Sequence, residues 1–245
     1  MKVLRSVFLV GVLGCLAVTT ASAGQIVIDN FTKPSPGNTN VIQVGVGTNT
    51  LTQGPFSPDV IGGYRAMLLT ITSGSKIDSL QVNPGNADFS MSIGSGDNGF
   101  STLTYDANGA GLGAGGNLLS ILGGGANTGN TFFQADIKFS DQNLIFTATF
   151  TDAGNNVATF TSLLGPGISV INQAFASFTN SGSVNFDAIS KVQIRLDGPQ
   201  AQDVTIGLLE ITNTPRTGTP EPASMLLLGS ALAGLGIRGR KKLAR

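Results

Sequence analysis

Phe133-Gln134-Ala135-Asp136-Ile137-Lys138-Phe139 is followed by Ser140-Asp141-Gln142-Asn143 and then by Leu144-Ile145-Phe146-Thr147-Ala148-Thr149-Phe150. Phe133, Ala135, Ile137 and Phe139 fall on one side of the first segment. Leu144, Phe146, Ala148 and Phe150 fall on one side of the second. A period of two marks a strand with one buried and one wet face. The spacer between them reads as a turn. The pair is therefore expected to form a hairpin at the centre of a half-exposed antiparallel sheet.

Working outward, strand signals recur at Gln25 to Asp29, Met67 to Thr72, Lys76 to Val82, Phe89 to Ile93 and Ser101 to Tyr105. Ser73-Gly74-Ser75 reads as a hairpin turn, and Gly94 to Gly99 as another turn cluster. Val157 to Leu163 follows Asp152-Ala153-Gly154-Asn155-Asn156. Ile168 to Phe178 reads ambiguously, as a strand and an edge. Val192, Ile194 and Leu196 alternate again, and Val204 to Ile211 closes the series. Gly109 to Gly129 is glycine-rich, with Leu118 to Leu122 expected as a short strand in a long loop. No period repeats along the chain, so a solenoid is excluded. The fold class is all-β: a two-sheet antiparallel β-sandwich or jelly roll over residues 24–214.

Composition sharpens this. The 245 residues carry 14 bases and 14 acids, but the balance is uneven. Eight of the bases lie in the two ends. Between Gly24 and Pro215, six bases face thirteen acids, a net charge of −7. Such a surface repels phosphate backbones, so nucleic acid is not an expected partner. Richness in Gly, Asn, Ser and Thr favours strands joined by turns. There is no histidine, and Cys15 is the single cysteine. This excludes Ser-His-Asp and Cys-His catalysis and His-ligated zinc.

The ends read as addresses. Lys2 and Arg5 precede the apolar run Val7 to Val18 and the small-residue site Ala21-Ser22-Ala23. That is a signal peptide over residues 1–23, with cleavage expected between Ala23 and Gly24. An uncleaved anchor is the alternative, disfavoured because a span needs ~20 apolar residues. Val12-Leu13-Gly14-Cys15 also resembles a lipoprotein acylation box. At the other end, residues 215–219 form a linker to Pro220-Glu221-Pro222. An uncharged apolar segment runs from Ala223 to Ile237, and Arg238, Arg240, Lys241 and Lys242 follow. At 15 residues this segment is short for a span. It is expected as an apolar transmembrane helix held by snorkelling cations on the cytoplasmic side. A buried C-terminal helix is the alternative, weakened by its glycines.

The Pro220-Glu221-Pro222 motif, apolar run and basic end over residues 220–245 resemble the PEP-CTERM sorting signal of Gram-negative bacteria. The resemblance implies recognition and cleavage by an exosortase after export through the Sec machinery. It also implies a transient stay in the inner membrane, then the cell surface or extracellular matrix. Biofilm formation and exopolysaccharide accompany that system, so exopolysaccharide is an implied partner. In the body, Ile28-Asp29-Asn30-Phe31, Gly62-Gly63-Tyr64-Arg65, Leu103-Thr104-Tyr105-Asp106 and Phe186-Asp187-Ala188-Ile189 resemble galactose-binding-like jelly rolls of carbohydrate-binding modules.

Tyr64, Arg65, Tyr105 and Asp106 are the glycan-site candidates, with core or rim packing as the competing reading. No catalytic or metal residue is assigned and no cofactor is expected. Calcium stays open through the loop oxygens of Asp97, Asn98, Asp152, Asn155 and Asn156, which lack EF-hand spacing. Gly94/Gly96/Gly99 and Gly111/Gly113/Gly116 match G-x-G-x-x-G but open no helix after a strand, so a dinucleotide site fails its context. The expected role is a non-enzymatic structural or adhesive protein with glycan contact. The alternative is a carbohydrate-active hydrolase using Asp97 with Asp106, or Asp136 with Asp141. Ice binding would need a flat threonine array, and the sequence shows no such repeat.

Overall fold

The computed structural model describes residues 24–33, 40–56, 59–123 and 127–214. The expected signal peptide, linker, sorting motif, C-terminal helix and basic end lie outside them. Among the described residues, no helix is long and apolar enough to cross a membrane.

Among the described residues, thirteen strands follow in order: β1 (Gln25–Asp29), β2 (Asn40–Val44), β3 (Gly47–Gln53), β4 (Arg65–Ser73), β5 (Ile77–Asn83), β6 (Asp88–Ser92) and β7 (Asn98–Tyr105). Then come β8 (Phe132–Ser140), β9 (Leu144–Asp152), β10 (Val157–Leu164), β11 (Ser169–Ala174), β12 (Ile189–Asp197) and β13 (Asp203–Thr212). They form two antiparallel sheets. One has seven strands, in the order β11-β8-β13-β6-β5-β2 with β1 also beside β13. The other has six, in the order β10-β9-β12-β7-β4-β3. The expected all-β sandwich is the observed one.

The connections differ from expectation. β8 and β9 do not pair: β8 lies in the seven-stranded sheet and β9 in the six-stranded one. Their apolar faces meet across the core instead, with the ring centroids of Phe133 and Phe146 6.0 Å apart. Ser140 to Asn143 is thus a corner between sheets. The same holds for Ser73 to Lys76 between β4 and β5, and for the Gly94 to Asp97 turn between β6 and β7. Alternation reports that a strand has one dry face, and both arrangements satisfy that condition equally.

The central strand pair also carries a phase change. Ile206 pairs with Ile137, but Thr205 pairs with Phe139 and Leu208 with Asp136. Lys138 and Gly207 are therefore bulged out of register. Beyond the bulge the pleat inverts, so Ser140 is buried and Phe139 is exposed rather than core. Gly207 permits the Lys138 stem to lie against the backbone, because a Cβ there would come 2.3 Å from Lys138 Cε.

Leu118–Ile121 is a single helical turn rather than a strand. Leu118 is fully buried, its N–H donates to Phe186 O (2.9 Å), and the Ser120 N–H donates to Asp187 Oδ1 (2.7 Å). The loop thus plugs one end of the sandwich.

Candidate functional site

The four candidate residues separate by the pleat. Tyr64 and Arg65 are adjacent, as are Tyr105 and Asp106, so each pair has one member facing in and one facing out. Arg65 and Tyr105 are fully buried. Neither can meet a glycan, which corrects the expectation for those two positions.

Inside, Arg65 donates Nε to Asp29 Oδ2 and NH2 to Asp29 Oδ1 (2.6 Å), and its NH1 donates to Gln53 Oε1 (2.8 Å). Tyr105 Oη donates to Asp29 Oδ2 at 3.0 Å, and the Phe31 N–H donates to Asp29 Oδ1 at 2.8 Å. The guanidinium lies 5.2 Å from the Phe31 ring centroid and 5.5 Å from that of Phe56. Burial alone would lower the Arg65 pKa, but the Asp29 carboxylate overrides it and holds it above its ordinary value. Burial, reinforced by Asp29, pushes the Tyr105 hydroxyl well up. The cluster is a neutralised, hydrogen-bonded unit that staples β1, β3, β4 and β7 together across the core.

Tyr64 and Asp106 point the other way, onto the outer face of the six-stranded sheet. There the register aligns three rows of side chains across all six strands, from β3 through β4, β7, β12 and β9 to β10. One row reads Thr52, Ala66, Thr104, Gln193, Thr149, Thr159. The next reads Thr50, Leu68, Thr102, Arg195, Thr147, Thr161. The third reads Thr48, Thr70, Phe100, Asp197, Ile145, Leu163. Hydroxyls dominate the face. Thr48 and Thr70 share a hydrogen bond of 3.1 Å, Thr147 and Thr161 one of 3.3 Å, and Gln193 Nε2 donates to Thr104 Oγ1 at 3.2 Å.

At its centre, Arg195 lies over the half-buried Phe100 ring, 3.5 Å from the centroid, and donates to Asp197 Oδ2 at 2.7 Å. A groove of about 380 Å³ bounded by Asp106, Thr151, Ser190 and Lys191 closes one end of the face. A neighbouring, more apolar one of about 480 Å³ includes Tyr64, Ile61 and Leu112. The threonine grid was absent from the sequence expectations, yet its signal is present. Thr-x-Thr recurs at Thr48, Thr50 and Thr52, at Thr70 and Thr72, at Thr102 and Thr104, at Thr147 and Thr149, and at Thr159 and Thr161. Each dyad occupies the outward phase of one strand.

The nominal carboxylate pairs are not assembled. Asp97 and Asp106 flank the eight-residue strand β7. At ~3.3 Å per residue they stand roughly 25–30 Å apart, whereas a glycosidase pair needs ~5–10 Å. Asp97 is buried, and its oxygens accept the Ser75 N–H (3.0 Å) and Lys76 N–H (2.8 Å). Asp141 Oδ1 accepts from Asp203 N (2.8 Å) and Gln202 Nε2 (3.1 Å).

Asp152, another of the calcium candidates, is engaged similarly. Asp152 accepts from the Gly154, Asn156 and Asn185 amides, and these bonds with the Asn156 side chain hold its carboxyl at about 2. Among the described residues, no three acidic, Cys or His side chains cluster as a metal site.

Asp78 behaves differently. It is fully buried on β5, with Oδ1 accepting the Gly94 N–H at 2.7 Å. Burial, and then the neighbouring Asp97 carboxylate, push its carboxyl above the usual range against the opposing Gly94 bond. The native state therefore binds this proton more tightly than the unfolded chain. Stability from this group is greatest at low pH and falls as pH rises above about 4. Asp78→Asn removes the ionisation while retaining the carbonyl acceptor for Gly94. Its melting temperature is expected to exceed the parent's at pH 7 and to approach it near pH 4. Thermal unfolding at both values checks this, and a loss of stability at pH 7 contradicts it.

Comparison with known proteins places the two parts of the chain separately. No curated protein matches the chain significantly. The body resembles carbohydrate-binding-module jelly-roll folds. A family 11 carbohydrate-binding module of a cellulosomal cellulase from Clostridium thermocellum matches at 14% identity and a TM-score of 0.39, over 78% of this chain and 95% of that one. A family 30 module of another cellulosomal cellulase from the same organism matches at 10% identity and a TM-score of 0.40, over 80% of this chain and 99% of that one. Residues 219–241 match the PEP-CTERM protein-sorting motif, which marks the chain as exported and as carrying a C-terminal sorting signal.

Proposed function

We propose that this is a non-enzymatic matrix or cell-surface protein, sorted by an exosortase of a Gram-negative bacterium, whose threonine face holds extracellular polysaccharide. The tail supports the sorting half of this reading. The observation that carries the glycan half is the six-strand grid of hydroxyls around Arg195 stacked on Phe100. A polysaccharide is a lattice of hydroxyls with apolar ring faces. Threonine hydroxyls both donate and accept, Gln193 does the same, and the Phe100 and Arg195 planes offer a stacking surface. Tyr64 and Asp106 border the same face, so that half of the original candidate site is retained in the proposal.

One preparation tests both halves. Protein recovered from producing cells and from the medium is weighed intact, then passed over the producer's own exopolysaccharide. The expected masses lack residues 1–23 and the region beyond Pro220. An intact tail in secreted material refutes the sorting. Retention on the polysaccharide is expected to fall about tenfold, ~1.4 kcal/mol, in Phe100→Ala and Arg195→Ala. Unchanged retention in both variants removes the threonine face as the site.

A further inference from the structure

The exposed aliphatic and aromatic residues are not scattered. Among the described residues, eleven large hydrophobic side chains are exposed, and ten of them lie at the two lateral edges of the sandwich. Ile42, Val44 and Val46 belong to β2 and its corner to β3, and Ile77 lies opposite Val44 on β5. At the far edge stand Leu163 and Val157 on β10, Ile168 and Val170 at the start of β11, and Ile145 and Phe139 on the adjoining strands. Exposure reaches 69% at Leu163, 79% at Ile168 and 66% at Val46.

Among the described residues, the backbone at those edges is only sparsely covered. Edge strands of monomeric proteins are protected by charge, proline or a bulge. Here the four edge strands are β2 and β11 in one sheet and β3 and β10 in the other. None contains a charged residue or a proline, and none is bulged against its neighbour. Register shifts occur only in interior pairs and beside β1. Among the described residues, Thr159 exchanges backbone hydrogen bonds with Thr179 (3.1 and 2.9 Å) and Asn49 Nδ2 donates to the Ile42 carbonyl (2.6 Å), which leaves Thr161 to Leu164 open. Two copies of a body of net charge −7 repel one another. They approach most favourably where both surfaces are uncharged, and those surfaces are the edges.

Topology decides how they meet. Each sheet runs through six strands between its edges, and every neighbouring pair is antiparallel. Six is even, so the two edge strands of a sheet run in opposite directions. A second copy in the same orientation therefore presents β10 to β3 as antiparallel partners in matching rows, while β2, whose Asn40 stands level with Gly167, meets the corner between β10 and β11. The geometry points to head-to-tail edge association of this chain with itself, an open heterologous contact that propagates beyond a dimer. It brings Ile42 and Val44 beside the Leu163 to Ile168 corner, and the outward threonines of β3 beside those of β10.

The test uses the exported protein in sedimentation velocity over a wide concentration range. The wild type is expected to give a concentration-dependent series extending past dimer. Val44→Lys with Ile42→Lys blocks one edge, and Leu163→Lys with Val170→Lys blocks the other. Each variant alone is expected to sediment as a monomer, with association weakened by about tenfold or more. A mixture of the two should recover a heterodimer and stop there, because one intact edge remains on each. The corresponding serine variants serve if lysine disturbs the far-ultraviolet circular dichroism. A monomeric wild type overturns the inference. So does assembly that survives both blocked edges, which would place it on another surface of the body, or dimerisation of one edge variant by itself, which would make the contact isologous. No glycan enters the measurement, so it stands or falls separately from polysaccharide binding.

Discussion

Asp29→Ala is expected to destabilise the domain by about 3–5 kcal/mol, the range for removing one partner of a buried ion pair. The magnitude follows from what is left behind. Arg65 and Asp29 are both fully buried, and the guanidinium would keep only the Gln53 bond while surrounded by Phe31, Phe56 and core aliphatics. Tyr105 Oη loses its acceptor at the same time, and so does the Phe31 N–H. Phe31 sits at φ +55°, a left-handed conformation that costs a bulky residue energy and that the Asp29 bond stabilises. Against a domain stability of ~5–15 kcal/mol the loss is large. For a domain of this size it corresponds to a melting shift of roughly 6–20 °C.

Two further variants separate the causes. Tyr105→Phe removes one hydrogen bond and should cost only ~0.5–1.5 kcal/mol. Asp29→Leu with Arg65→Met removes both charges and should recover much of the loss, since a well-packed apolar replacement is often neutral. Urea unfolding of the set checks the order. An Asp29→Ala variant no weaker than Tyr105→Phe would show that Arg65 finds water or another partner.

That network was the least legible part of the molecule. Asp29 reaches partners 36 and 76 residues away, and no local pattern announces such a pairing. The strands were legible because alternation is local. Gln25 to Asp29 and Val204 to Ile211 match β1 and most of β13. β2 and β3 escaped because Asn40 to Gln53 lines two edges, where polar and apolar residues face solvent alike. Sheet membership was not encoded in the alternation. Phe133 and Phe146 must face a dry side, but whether that is one sheet's inner face or two opposed ones depends on how Ser140 to Asn143 turns. The candidate site failed where it ignored the pleat, by asking neighbours such as Tyr64 and Arg65 to share a face. The same rule, applied to the Thr-x-Thr dyads, yields the outer grid.

The corner geometry sets the second large effect. Phe150→Ala is expected to cost about 3–5 kcal/mol, as for large-to-small changes at well-packed aromatic sites. Phe150 is fully buried on β9 and is the hub of the aromatic cluster. Its centroid lies 5.9 Å from Phe133 of the opposite sheet, edge-on, and 5.0 and 5.7 Å from Phe175 and Phe178 of the turn after β11. Phe186, before β12, stands 6.2 Å away. Three separate segments thus meet on one ring, and none can collapse into its space without drawing on a sheet. Phe175 and Phe186 are themselves stacked at 4.4 Å, which fixes that wall of the cavity. Phe160 on β10 is the internal control. It is only partly buried, and its ring pairs with Phe178 at 5.6 Å. Phe160→Ala should cost less than half as much, because water can refill part of the site. The two variants should shift the urea midpoint with an unchanged m value, the signature of lost stability without altered compactness. A midpoint shift for Phe150→Ala no larger than that for Phe160→Ala would mean that the sheets close over the gap, and that the corner between β8 and β9 is softer than its packing implies.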